Sequence, residues 1–219
     1  MTDCLAVTTE VREVYLPAAG VAVTLISQPA VAARWSQASV LPGMSVGALA
    51  GHLALSVLQV EWFLDGAITG GPLTSAVTYY GRLQGTTVAG SSLNVGVRQR
   101  SESTAQQGPT TVAEEVRRVL NRLGDRLTHE PKGRRVAVLH PPGEEMLLEE
   151  YLKTRCVELA VHTEDLALSI DAAHRAPEEA VTIAVELLVA AAKQRHGDRE
   201  VLHALTRRER DTFDSLRVL

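Results

Sequence analysis

The amino-acid sequence predicts an all-α protein, an up-and-down four-helix bundle with a C-terminal helical extension. Three observations lead there. Hydrophobic residues make up 45% of the 219 but aromatics only 4%, so the core must be built of Ala, Val and Leu, small enough to let helices approach closely. Apolar positions recur at helical spacing through long stretches, with at most a trace of strand pattern. Four of these stretches are long and are joined by extended crossovers, which suits a bundle. The bundle is expected over residues 1–172 and the extension over 173–219.

Each element has its own signals. From Thr8 to Ile26 polar and apolar positions alternate at near-helical spacing. Pro17 removes a donor and crowds the preceding turn, which predicts a kink or two short helices. Leu41-Pro42-Gly43 marks a turn, and Ser45 is placed to cap the next helix. That helix is predicted from Val46 to Asp65, with Gly66 as its stop. Residues 67–111 are rich in Gly, Ser and Thr and read as irregular, with one short helix near Val77 to Leu83 and a polar, mobile stretch from Gly96 to Gly108. Val112, Val116, Val119, Leu120 and Leu123 share one face of a helix from Thr111 to Leu127. Arg135 to Leu139 reads as a short strand ended by Pro141-Pro142-Gly143. A long helix is predicted from Glu144 to Ile170. Pro177 opens a helix over Val181 to Gln194 that Gly197 ends, and a polar helix from Arg199 to Arg210 closes the chain. Trp35 and Trp62 are expected to anchor the core.

Composition excludes several classes. The net charge is -4 and the pI near 6.0, so there is no basic field for nucleic acid. Arg207, Arg208 and Arg210 alternate with Glu209 and Asp211 and read as a solvated face. Cys4 and Cys156 form neither a CxxC pair nor a disulfide framework, which points to a reducing compartment. The N-terminus has no signal-peptide pattern. The run Val181 to Ala192 contains Glu186 and is shorter than the roughly 20 apolar residues a bilayer needs. A soluble, cytoplasmic protein without membrane or nucleic-acid partners is expected, either monomer or homodimer.

One constellation can carry chemistry. Glu158 and His162 are four apart on a predicted helix, slightly more than one turn, so both leave the same face. His52 lies mid-helix elsewhere, among Leu49, Leu53 and Leu55, and a bundle can bring such residues together in its interior. Two histidines and a carboxylate make a three-ligand metal site with an open position. By spacing alone the bland reading competes: a solvated Glu/His pair and a satisfied core histidine. Asp165 shares the face of His162, as an acceptor orienting a ligand or as a salt-bridge partner. Arg155 either pairs with Glu158 or meets an anionic substrate. Ser56 and Gln59 follow His52 at one and two turns, lining a polar cavity or plugging the core. Tyr80 and Arg82 lie in the irregular connection, placed to close over the site. Cys156 is rotated away from Glu158 and reads as a buried, inert thiol.

The segments ARWSQASVLPGMSVGALAGHLALSVLQVEWFLDG and EEYLKTRCVELAVHTEDLALSI resemble the two hallmarks of the mycothiol-dependent maleylpyruvate isomerase family, within the DinB-like superfamily of four-helix bundles. The tail AKQRHGDREVLHALTRRER is similar to the end of many actinobacterial members. The resemblance implies that His52, Glu158 and His162 bind a divalent metal, zinc foremost, with nickel, iron or manganese also compatible. It implies a low-molecular-weight thiol, mycothiol, as cosubstrate; Gln59, Arg155 and Asp165, by their positions on the two helices, are the candidates for holding thiol or substrate. The expected activity is thiol transfer to a small electrophile, or its thiol-assisted isomerisation. Only about fifty residues follow the second motif, which argues against maleylpyruvate itself as substrate. Two other readings stand beside it: a hydrolase using metal-activated water, and a non-catalytic protein that sequesters metal or a small molecule. No catalytic residue is assigned.

Overall fold

A computed structural model describes residues 10–83, 90–139, 142–206 and 216–218. Cys4 and the cluster Arg207, Arg208 and Arg210 lie outside the described residues. Helix α1 (Val11–Ile26) is followed by a short α2 (Pro29–Ala33) and by α3 (Val46–Asp65). The crossover carries α4 (Ala76–Arg82) and α5 (Ser92–Ala105), and α6 (Pro109–His129) follows. A hairpin of β1 (Arg135–Ala137) and β2 (Glu145–Leu147) leads into α7 (Leu148–Ser169), then α8 (Glu178–His196) and α9 (Asp198–Thr206). The all-α class is as expected.

Helices α1, α3, α6 and α7 form the bundle: α1 and α3 each pack on both α6 and α7. Their shared core is aliphatic, with Leu25, Leu49, Leu53, Leu123, Leu127 and Leu152 fully buried. A second, smaller core lies outside it, where α4 and α8 meet the back of α7 through Ala76, Tyr80, Val157, Ala160, Leu187 and Ala191. The C-terminal helices are thus layered on the bundle through α7 and α4. Helix α3 is long and apolar enough to cross a membrane, but 78% of that stretch is buried inside the protein, as befits a central core helix.

Several local expectations are corrected. Helix α1 runs through Pro17 as one element rather than as two short helices. The carbonyl that Pro17 leaves without a donor belongs to Glu13, and both residues are on the solvent side, where water satisfies it. Residues 92–105, expected irregular and in part mobile, are the 14-residue helix α5. Its polarity hid it. The Ser91 side chain caps it by accepting from the Asn94 amide, and the Ser101 and Thr104 hydroxyls donate to the carbonyls of Val97 and Arg100 one turn back. Those side chains are thereby satisfied internally and can be buried. The strand at Arg135 has an antiparallel partner, Arg135 opposite Leu147, in residues expected to be helical. Glu145 cannot join a helix because its backbone N–H donates to Pro72 and its C=O accepts from Thr74. Trp62 is 53% exposed on the outer face of α3 and lies outside the buried core. Trp35 packs against the core and donates to the Ala105 carbonyl.

Candidate metal centre

Helix α3 brings His52 to the site because it is held at close quarters on both sides. The Ser45 hydroxyl caps it, accepting from the Ala48 amide. A Cβ on Gly47 would lie 2.7 Å from the Trp35 ring, and one on Gly51 2.7 Å from the Ser101 carbonyl oxygen. Gly51 is therefore what allows α5 to lie against α3, directly beside His52. Helix α7 supplies Glu158 and His162 one turn apart, on the side that faces α3.

One ligand atom from each of His52, Glu158 and His162 can be chosen so that all three lie within 4.8 Å of one another. Glu158 Oε2 is 3.2 Å from His52 Nε2 and 3.5 Å from His162 Nε2. Zinc bonds of 2.0–2.1 Å at tetrahedral angles put neighbouring ligand atoms about 3.4 Å apart. The residues therefore fit a divalent ion in donor type and in spacing. The imidazoles meet edge to face, with centroids 4.5 Å apart.

The surrounding groups fix the charge state of each ligand. Asp165 Oδ2 is 2.9 Å from His162 Nδ1, and since a carboxylate only accepts, Nδ1 carries a proton and Nε2 is the atom turned to the cluster. Burial works against protonating His162, but the hydrogen bonds to Asp165 and Glu158 and their charges prevail and raise its pKa to about 9. Burial lowers the His52 pKa and the neighbouring His162 lowers it further, against the opposing pull of Glu158. Burial would raise Glu158, but hydrogen bonds from both histidines and the Arg155 charge hold it well below the usual carboxylate range.

The cluster lies in the wall of a cavity of about 460 Å³, within the range of small-molecule sites. Apolar side chains such as Leu41, Leu55 and Leu83 share the lining with Gln59, Arg155 and Ser56. The ion pair between Arg155 and Glu158 is not formed. Arg155, 8% exposed, donates to Thr154 Oγ1 and Gln59 Oε1 and stacks on Tyr151 at 5.0 Å. No described carboxylate pairs with it, although it stays charged, because Tyr151 and Glu158 oppose the effect of burial. Asp165 is engaged by His162 and is not part of the cavity lining. Cys156 is fully buried, and burial pushes its thiol up to about 12.

One contribution was read only in part, and another escaped the sequence reading. Tyr80 of α4, expected with Arg82 to close over the site, donates from its hydroxyl to Glu158 Oε1 at 2.9 Å. That contact leaves Oε2 as the oxygen facing the histidines. Arg82 turns outward to Glu144 instead. Arg98 and Arg100 of α5 add two cations to the cavity wall. They were unreadable while α5 itself was unrecognised.

Two imidazoles and a carboxylate that could hold a metal ion, set in the wall of a ligand-sized cavity, have the donor set of an open three-ligand site rather than of a closed four-ligand one. The chain belongs to the family described as the mycothiol maleylpyruvate isomerase N-terminal domain, which it matches over residues 16–167. The match contains all three cluster residues and ends before α8. No curated protein and no solved structure matches the chain.

Proposed function

We propose that the protein is a metal-dependent enzyme that joins a low-molecular-weight thiol, mycothiol or a close analogue, to a small electrophile, or isomerises that electrophile through reversible thiol addition. The convergence of His52, Glu158 and His162 on one wall of the cavity carries the reading, and family membership supplies the thiol. His52, Glu158 and His162 would hold a divalent ion, which when bound would supply the positive charge that lowers the pKa of a thiol and so makes it nucleophilic at neutral pH. Zinc suits two imidazoles and a carboxylate best, and nickel, iron and manganese remain compatible.

The chain's own residues do the rest. Asp165 holds His162 with Nε2 toward the cluster. Tyr80 occupies the second oxygen of Glu158. Arg155 offers a buried guanidinium that no carboxylate pairs with among the described residues, which suits an electrophile bearing an anionic group. Gln59 steadies that guanidinium and lines the same wall. The leucines of the cavity keep water from competing for the electrophile.

The test has two stages. Metal content of protein purified without chelator or histidine tag is measured beside His52→Ala and Glu158→Ala. About one ion per chain, lost in both variants, is expected. Metal-loaded protein is then given mycothiol and monochlorobimane, where a sulfur–carbon bond forms and chloride leaves. Thiol-dependent fluorescence lost in the variants supports transfer. Metal without thiol-dependent turnover would favour a hydrolytic or a sequestering role. A native protein that holds no metal after reloading would end the reading.

A further inference from the structure

The family match ends at residue 167, yet Arg195 of α8, well beyond it, is tied to the metal cluster through α4. The arginine donates from Nη2 to the carbonyl of Tyr80 at 2.6 Å and to that of Leu83 at 2.8 Å. Its Nε reaches the Gly81 carbonyl and its Nη1 the Val218 carbonyl. Tyr80 and Gly81 carry carbonyls of the last turn of α4 and Leu83 is its C-cap; the helix itself offers the Tyr80 carbonyl only the Leu83 N–H at 3.3 Å, and Arg195 supplies the rest. At the other end of α4 the Glu150 carboxylate accepts from the Ala76 amide at 2.9 Å, and the Ser75 side chain accepts from the Thr78 amide. Helix α4 is therefore held from α7 at its start and from α8 at its end.

The packing between the clamped surfaces is close. A Cβ on Gly81 would stand 3.1 Å from the Gln194 side chain. Ala76 and Tyr80 are buried against α8 and the back of α7. Tyr80 is 1% exposed, so its ring cannot choose among rotamers independently of α4. Its hydroxyl has one proton to donate, and the Glu158 carboxylate at 2.9 Å is a better acceptor than the Thr154 carbonyl at 3.3 Å. The placement of α4 thus decides which oxygen of Glu158 is left for a metal.

The geometry points to Arg195 as a positioning residue: the C-terminal extension sets the metal-binding geometry of Glu158 through Tyr80. The inference rests on the metal reading for its consequence, but its geometric half is independent of any ion.

Both halves are tested on the full chain. The metal-free protein is labelled with [13Cζ]tyrosine. With four tyrosines in the sequence, the resonance lost in Tyr80→Phe is assigned directly. That resonance shifts in Glu158→Gln, because the acceptor changes, and it is expected to shift in Arg195→Met as well. An unmoved resonance in Arg195→Met overturns the inference whether or not the protein binds metal. Zinc affinity is then measured by chelator competition. Tyr80→Phe is expected to weaken binding about tenfold, as for other residues that orient a ligand. Arg195→Met is expected to show part of that loss, about threefold, and to have no further effect in the Tyr80→Phe background. Wild-type affinity in Arg195→Met, or losses that multiply in the double variant, would overturn it. Should Arg195→Met fail to fold by circular dichroism, Arg195→Lys carries the same two readouts, since it keeps the charge but cannot span the same carbonyls. Absence of zinc binding by the wild type would sink the metal reading alone.

Discussion

Metal binding should release one proton per chain at pH 7. In the metal-free protein His162 has a pKa of about 9, so at pH 7 about 99% of it is protonated. The metal needs Nε2 bare, while Nδ1 keeps its proton on Asp165. His52 has a pKa lowered from 6.5 and is already neutral. Glu158 is held well below the usual carboxylate range and is already ionised. Only His162 must therefore give up a proton. Apparent affinity should rise about tenfold per pH unit, or about 1.4 kcal/mol, and level off near pH 9. Between pH 7 and pH 9, where half of His162 is still protonated, that makes about fiftyfold, roughly 2 kcal/mol. Titration calorimetry in two buffers of different ionisation enthalpy gives the proton count directly. A count of zero at pH 7 would mean that Asp165 does not hold His162 protonated. A count of two would mean that His52 is charged as well, and either result refutes the assignment of charge states.

The same shift makes a stability prediction. A histidine whose folded pKa is raised stabilises the fold below its unfolded value and loses that contribution as pH rises through about 9, so the melting temperature of metal-free protein should fall from pH 6.5 to 9, and that of loaded protein should not. Asp165→Asn should weaken zinc binding about 10- to 100-fold at pH 9, measured by chelator competition, and wild-type affinity would show that the contact is incidental. Gly51→Ala places a Cβ 2.7 Å from a backbone oxygen of α5, which cannot rotate aside. Overpacking of about 1–3 kcal/mol should outweigh the gain of about 1 kcal/mol in helix propensity, so urea unfolding should show net loss, and a more stable variant would show that α5 yields freely. Arg155→Met should lower kcat/KM about 100-fold for a carboxylate-bearing electrophile and little for a neutral one, since a charged hydrogen bond contributes about 1.5–3 kcal/mol; equal losses would place Arg155 in the scaffold. In a Cys4→Ser background, Cys156 should not react with a thiol reagent until the protein is denatured, and rapid native reaction would contradict its burial.

That His52, Glu158 and His162 could meet was legible in the helical pattern, with His52 inside an apolar stretch and Glu158 and His162 one turn apart, but spacing left a core histidine and a solvated pair equally open, and the family resemblance singled the three out as candidate ligands. The start of α3 was equally legible, through the Ser45 cap. What sequence could not show were relations that depend on tertiary contact. Helix α5 has a polar sequence, and its burial depends on Ser101 and Thr104 satisfying their own turns. Strand β2 exists because Glu145 is claimed by Pro72 and Thr74, far away in the chain. Tyr80 reaches Glu158 only because α8 and α7 hold α4 in place, and no local pattern announces that.

Helix α7 is buried on two sides, with Cys156 and Leu159 in the central core and Val157 and Ala160 in the outer one. Nearly every position next to Glu158 and His162 is therefore committed to packing, and changes there are felt throughout the molecule. The opposite wall of the cavity, where α5 presents Leu93, Asn94, Val97 and Arg98, rests chiefly on α3 and is free of that double commitment. Diversity in the electrophile accepted can accumulate on the α5 wall while the reactive centre stays unchanged. Directed evolution toward a new substrate should accordingly find its tolerated substitutions on α5 and almost none along α7.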